Sequence, residues 1–117
     1  MEKIKSANKS ELYLLNAPIL TSFGGFMYSS ITLEEAKRLI KENGFASAIG
    51  HESTAKFMSK ILDVEVPMNR ISINMRLNDK AIIFKLSDRL PEGVILSEKQ
   101  MQSVKFEIAL LTKIWQQ

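Results

Sequence analysis

The chain has 117 residues, 45% of them apolar and 25% charged, which is enough for one globular domain with a core of its own. It contains no cysteine and a single histidine, which excludes disulfides, thiolate metal centres and a multi-histidine metal site within one chain. The net charge of +3 mildly favours an anionic partner but is too small a bias to indicate duplex nucleic acid. No apolar run is long enough for a membrane span or a signal-peptide core, so an intracellular protein is expected.

Residues 1–10 are polar and read as a flexible segment, leaving 11–117 as the domain. Leu12-Tyr13-Leu14-Leu15 is a short apolar run closed by Asn16 and Pro18 and reads as a buried strand. Gly24-Gly25 suggests a loop, followed by a strand through Phe26-Met27-Tyr28. Thr32 opens the clearest helix: Thr32 and Glu35 have capping-box spacing, Leu33, Ala36, Leu39 and Ile40 share a face, and Gly44 terminates it as a left-handed cap.

Phe45 to Ile49 reads as a strand leading into Gly50-His51. A second helix is predicted from about Glu52 to Leu62, burying Ala55, Met58, Ile61 and Leu62, with Pro67 in the loop beyond. Arg70 to Leu77 alternates strictly and carries the strongest strand pattern in the chain. With Asn78-Asp79 as a turn and Lys80 to Ser87 as a return strand, it predicts a hairpin. Asp88 to Gly93 is a polar loop, Ser97 and Gln100 suit a short capped helix, and Val104, Phe106 and Ile108 alternate like an edge strand. Leu110 to Trp115 fits either strand or helix. The methionines Met27, Met58, Met68 and Met75 read as core filler. Together these elements predict an α/β fold, one compact domain whose mixed sheet of about five strands is flanked by helices.

Chemistry concentrates at Ala48-Ile49-Gly50-His51-Glu52-Ser53-Thr54. An imidazole placed after a glycine, where a strand gives way to a helix, can exchange protons beside backbone N–H donors that suit a phosphate. The plainer reading is a histidine bonded to backbone at a helix start, with Ser53 and Thr54 as ordinary first-turn residues. Arg89 and Glu92 are either solvated loop charges or a mobile cation and carboxylate serving a phosphate. Arg70 opens the polar face of its strand, and Asn16 suits a turn. No glycine-rich phosphate loop, Ser/His/Asp order or metal-ligand spacing is present.

Leu15-Asn16-Ala17, Ala48 to Thr54, Asn69-Arg70 and Arg89-Leu90-Pro91-Glu92-Gly93 together resemble the viral ring nucleases. These are the type III anti-CRISPR enzymes of archaeal viruses and phages, with relatives on bacterial mobile elements. The resemblance runs from about Leu12 to Trp115. It implies a homodimer in the host cytoplasm that binds cyclic tetra-adenylate across its two-fold axis. The ring would be cut without metal or cofactor to linear di-adenylate with 2′,3′-cyclic phosphate ends, silencing the defence that this messenger activates.

Under the resemblance His51, Arg89 and Glu92 are catalytic, and Asn16, Gly50, Ser53, Thr54, Asn69 and Arg70 contact the ligand. Pro91, Asp88 and Ile19 depart from residues common in relatives. The alternatives are a sponge that binds a cyclic oligonucleotide without cutting it, and a small interaction protein of a mobile element. Retention of His51, Arg89 and Glu92 together favours the enzyme.

Overall fold

The computed structural model describes residues 11–18, 20, 22–86, 100 and 104–117. Strand β1 (Leu12–Leu15) is flanked on both sides by parallel neighbours, β3 (Ala46–Ser47) and β4 (Lys80–Leu86). β4 pairs in turn with the antiparallel β5 (Phe106–Gln116), and β5 with β2 (Gly24–Ser30). The result is one domain with a five-stranded mixed sheet in the order β2-β5-β4-β1-β3. Helices α1 (Leu33–Asn43) and α2 (Glu52–Leu62) complete the α/β architecture among the described residues.

Alternation along the strands divides the core into two layers. Leu12 and Leu14 of β1, Ile82 and Phe84 of β4, and Ile108 of β5 face the helices, where they meet Ala36 and Ile40 of α1 and Phe57, Met58 and Leu62 of α2. Leu15, Ala81, Ile83 and Leu111 point the other way and are covered by Ala48, Ile73 and Met75. A parallel strand buried on both faces must be apolar at nearly every position, which is why β1 and β4 read as continuous apolar runs. The non-helical face is stitched by Lys113, which is 1% exposed. Its Nζ donates to Ser22 Oγ at 2.9 Å and to the Met75 carbonyl at 3.0 Å, and lies over the Phe26 ring.

Helix α1 starts as its sequence requires. The Thr32 hydroxyl accepts the Glu35 N–H at 3.1 Å, and the Glu35 carboxylate accepts the Thr32 N–H at 2.8 Å. These bonds, from the Thr32 amide first and its hydroxyl second, hold the Glu35 carboxyl below its ordinary value. A carboxyl held low in the folded state contributes stability above the ordinary carboxylate range, and loses it as pH falls through the folded value. Glu35→Gln keeps an acceptor but removes the charge. Its Tm deficit against wild type is therefore expected at neutral pH and to close under acid; a gap constant with pH would refute this account.

Several expectations are corrected. Arg70 to Leu77 forms no strand, and the hairpin with β4 does not exist. Both edges of β4 are occupied, by β1 and β5, so no edge remains for the neighbouring segment. The alternation still records burial: Ile73 and Met75 are buried, while Ile71 and Leu77 at the ends are about half exposed. The turn is real. Asn78 takes a positive φ of 74°, and the Asp79 carboxylate accepts the Arg76 and Glu11 amides at 2.8 and 2.9 Å.

β5 is an interior strand and runs through the ambiguous chain end, and β2 takes the outer edge. Gly24 and Gly25 belong to β2, and β3 is shorter than expected. Gly44 has φ 70° and ψ −175°, so it leaves α1 through positive φ without the left-handed helical conformation. Ile61 is only half-buried, and Phe57 takes the deeper position. Met58 and Met75 are core, whereas Met27 and Met68 are about half exposed. Residues 1–10, the Asp88–Gly93 loop and Ser97 lie outside the described residues.

Candidate functional site

Because β1, β3 and β4 are parallel, their carboxyl ends share one edge of the sheet, the edge where open α/β folds place ligands. Asn16 leaves β1 there, exposed to solvent. The ladder runs past β3, with the Ala48 N–H donating to the Leu14 carbonyl at 3.0 Å. Extending the pairing of Leu14 with Ser47 sets Asn16 level with Ile49, just before Gly50-His51. β4 ends on the same edge at Leu86. Arg89 and Glu92, which follow it in sequence, lie outside the described residues, as do Ile19 and Pro91.

The loop before α2 is clamped to the segment from Pro67 to Arg70. The Asn69 N–H donates to the Ile49 carbonyl at 2.7 Å, and its side-chain amide to the Ser47 carbonyl at 2.8 Å. Arg70 donates Nε and Nη2 to the Gly50 carbonyl at 3.1 and 2.8 Å. A bare glycine suits this contact: a Cβ at Gly50 would stand 3.2 Å from Arg70 Cγ and 3.4 Å from its Nε. Arg70 itself remains exposed, so a guanidinium is held at the rim beside His51. The structure thus gathers Gly50, His51, Ser53, Thr54, Asn69 and Arg70, with Asn16 on the same edge.

His51 is the N-cap of α2 and is 7% exposed. Its Nδ1 accepts the Thr54 N–H at 3.3 Å and lies 3.2 Å from Thr54 Oγ1. An Nδ1 that accepts an amide proton carries none itself, so these contacts assign the neutral tautomer with hydrogen on Nε2. The plainer reading of this residue, a histidine bonded to backbone at a helix start, is therefore present in full. Ser53 and Thr54 are each 4% exposed, and the Thr54 amide is already committed to the imidazole. The helix-start donors available to an anion are fewer than the sequence suggested.

Ser47 is a positioning residue that the sequence did not single out. It is buried, its hydroxyl donates to the Pro67 carbonyl at 2.7 Å and accepts the Ile49 N–H at 3.3 Å, and its carbonyl receives Asn69. Little local marks it, because two of its partners, Pro67 and Asn69, lie about twenty residues further along the chain.

Among the described residues no helix is long and apolar enough to cross a membrane. The chain is 41% identical over 104 residues to protein 26 of Sulfolobus islandicus filamentous virus (isolate Iceland/Hveragerdi), a match covering 85% of this chain and 88% of that one. It is 35% identical over 106 residues to the YddF protein of Bacillus subtilis (strain 168), covering 89% and 98%. Its fold is similar to that of B116 of Sulfolobus turreted icosahedral virus, with a TM-score of 0.73 and 27% identity over 87% of this chain and 98% of that chain. A model of the STIV B116-like family matches residues 12–108, and the chain belongs to that family.

Proposed function

We propose that the chain is a metal-independent ring nuclease that cuts cyclic tetra-adenylate to linear di-adenylate with 2′,3′-cyclic phosphate ends, so countering type III CRISPR signalling in the host cytoplasm. The observation that carries this reading is the gathering of His51, Arg70, Asn69 and the α2 N-terminus at one strand edge. Relatives in archaeal viruses are in keeping with a protein of mobile elements.

In this reaction a ribose 2′-oxygen attacks the adjoining phosphorus and loses its proton to solvent. The bond from phosphorus to the 5′-oxygen breaks, and the departing oxygen takes a proton from the His51 imidazolium. On the protonated ring Nδ1–H would turn to Thr54 Oγ1, already 3.2 Å away, leaving Nε2–H to be delivered. Delivery from Nε2 leaves the hydrogen on Nδ1, directed at Thr54 Oγ1; the observed arrangement, in which Nδ1 accepts the Thr54 amide, returns when Nε2 takes a proton from solvent and Nδ1 gives its own up. Arg70 at the rim, together with Arg89, would offset charge on the non-bridging oxygens, and Glu92 would orient the imidazole. A homodimer would offer two such edges to a two-fold-symmetric ring.

A second reading is favoured by one observation, the buried imidazole already engaged as a helix cap. It is a sponge that holds the same ring intact and needs no acid. Incubating wild type and His51→Ala with labelled cyclic tetra-adenylate in EDTA separates the two. Di-adenylate from wild type alone supports the nuclease; tight binding with intact ligand supports the sponge; neither result removes both.

A further inference from the structure

We infer that Thr54 serves the imidazole and not the ligand: as a positioning residue it keeps hydrogen on Nε2 of His51 at equilibrium in both charge states of the ring. The resemblance implies a ligand contact at this position. Thr54 is 4% exposed, which leaves its side chain little surface to offer a nucleotide. Its polar groups meet His51 instead, the N–H at 3.3 Å from Nδ1 and the hydroxyl oxygen at 3.2 Å from the same atom.

The starts of the two helices make the point by contrast. In α1 the third helical residue is Glu35, whose carboxylate reaches back to the backbone N–H of the cap. In α2 the third residue is Thr54, and its hydroxyl meets the side chain of the cap. Branching at Cβ restricts χ1, and burial encloses the methyl, so the hydroxyl is held where it stands.

The two groups of Thr54 are not equivalent. An amide N–H only donates, so it can meet Nδ1 only while that nitrogen is bare. A hydroxyl donates or accepts. Oγ1 can therefore give its hydrogen to a bare Nδ1 and, by turning about its C–O bond, accept one from a protonated Nδ1. With the amide alone, charging the ring would set one N–H against another. The hydroxyl removes that conflict with no movement of the backbone. The tautomer left by proton delivery, with hydrogen on Nδ1, meets the same oxygen until Nε2 is protonated again.

The ring can be read directly, because His51 is the only histidine and its nitrogen-15 signals are unambiguous. In the neutral wild type they are expected to report hydrogen on Nε2. Thr54→Val keeps the amide and the shape of the side chain. Its neutral ring keeps a partner and the same tautomer, while its charged ring loses the acceptor. It is therefore expected to bind its proton about tenfold more weakly than wild type, a fall of about one pH unit in the titration midpoint. Thr54→Ser, which restores the hydroxyl, should stay within about threefold of wild type. Among the described residues the charged groups beside this corner are Arg70, on the Gly50 carbonyl, and Glu52, 4.0 Å from Lys56. Both are the same in all three proteins, so a shift confined to Thr54→Val belongs to the hydroxyl.

A cleavage assay adds a second readout that rests on the nuclease reading. At a pH above both midpoints Thr54→Val should lower kcat by up to about tenfold and leave KM unchanged, whereas loss of a ligand contact raises KM. Hydrogen on Nδ1 in the neutral wild type overturns the inference, as does equal titration of wild type and Thr54→Val. A KM that rises while kcat holds returns Thr54 to the ligand and overturns it too. If wild type cuts nothing, the nuclease reading fails, and the nitrogen signals still decide the role of Thr54.

Discussion

On the proposed nuclease reading, His51→Asn is expected to keep the fold of wild type while losing at least about 100-fold in ring cleavage, the lower end of what a general acid supplies. Asparagine is among the best N-cap residues, and its side-chain oxygen can accept the amide that His51 Nδ1 now accepts. His51→Ala removes both functions. It should lose the same activity and also about 1 kcal/mol or more of stability, through the missing cap and the space left by a 7% exposed ring. Thermal melts beside single-turnover cleavage in EDTA check the pair. If Asn restores stability but not cleavage, the imidazole has a chemical role beyond its cap. If Asn restores both, His51 is a cap and the acid lies elsewhere.

Gly24→Ala is expected to be the most damaging of the small glycine substitutions. Gly24 has a φ of 142°, and a Cβ there would overlap the Trp115 carbonyl oxygen and stand 2.8 Å from Lys113 Cε. The first obstacle is backbone of the paired strand β5, and the second belongs to a lysine whose head is fixed by Ser22 and Met75. Neither can give way cheaply. A cost of about 3 kcal/mol follows from strain and steric overlap together, or a Tm fall of roughly 10 °C or more. Gly44→Ala is the control: φ is 70° but no atom stands within 4 Å of the added Cβ. It should cost only about 1 kcal/mol. Equal losses at the two positions would show that backbone conformation alone, and not the contact with β5, sets the price.

The histidine illustrates how far local chemistry can be read. Its place at the start of α2 was legible, because a helix pattern from Glu52 to Leu62 fixes where the cap must fall. Its burial was not, because what closes over it is decided by the rest of the fold. Arg70 is similar: its residue type is plain in sequence, but its grip on the Gly50 carbonyl depends on a segment twenty residues removed.

By itself the sequence determined the features whose hydrogen bonds and periodicity close within a few residues. These are the capping box of α1, the span of α2, the turn at Asn78-Asp79, and the apolar runs that became β1 and β4. Only the tertiary structure decided which strands pair. Arg70 to Leu77 has the pattern of a strand but no place in the sheet, since β1 and β5 hold both edges of β4. A side-chain pattern states which face a segment buries. It cannot state which backbone edges remain open once longer-range pairings have formed.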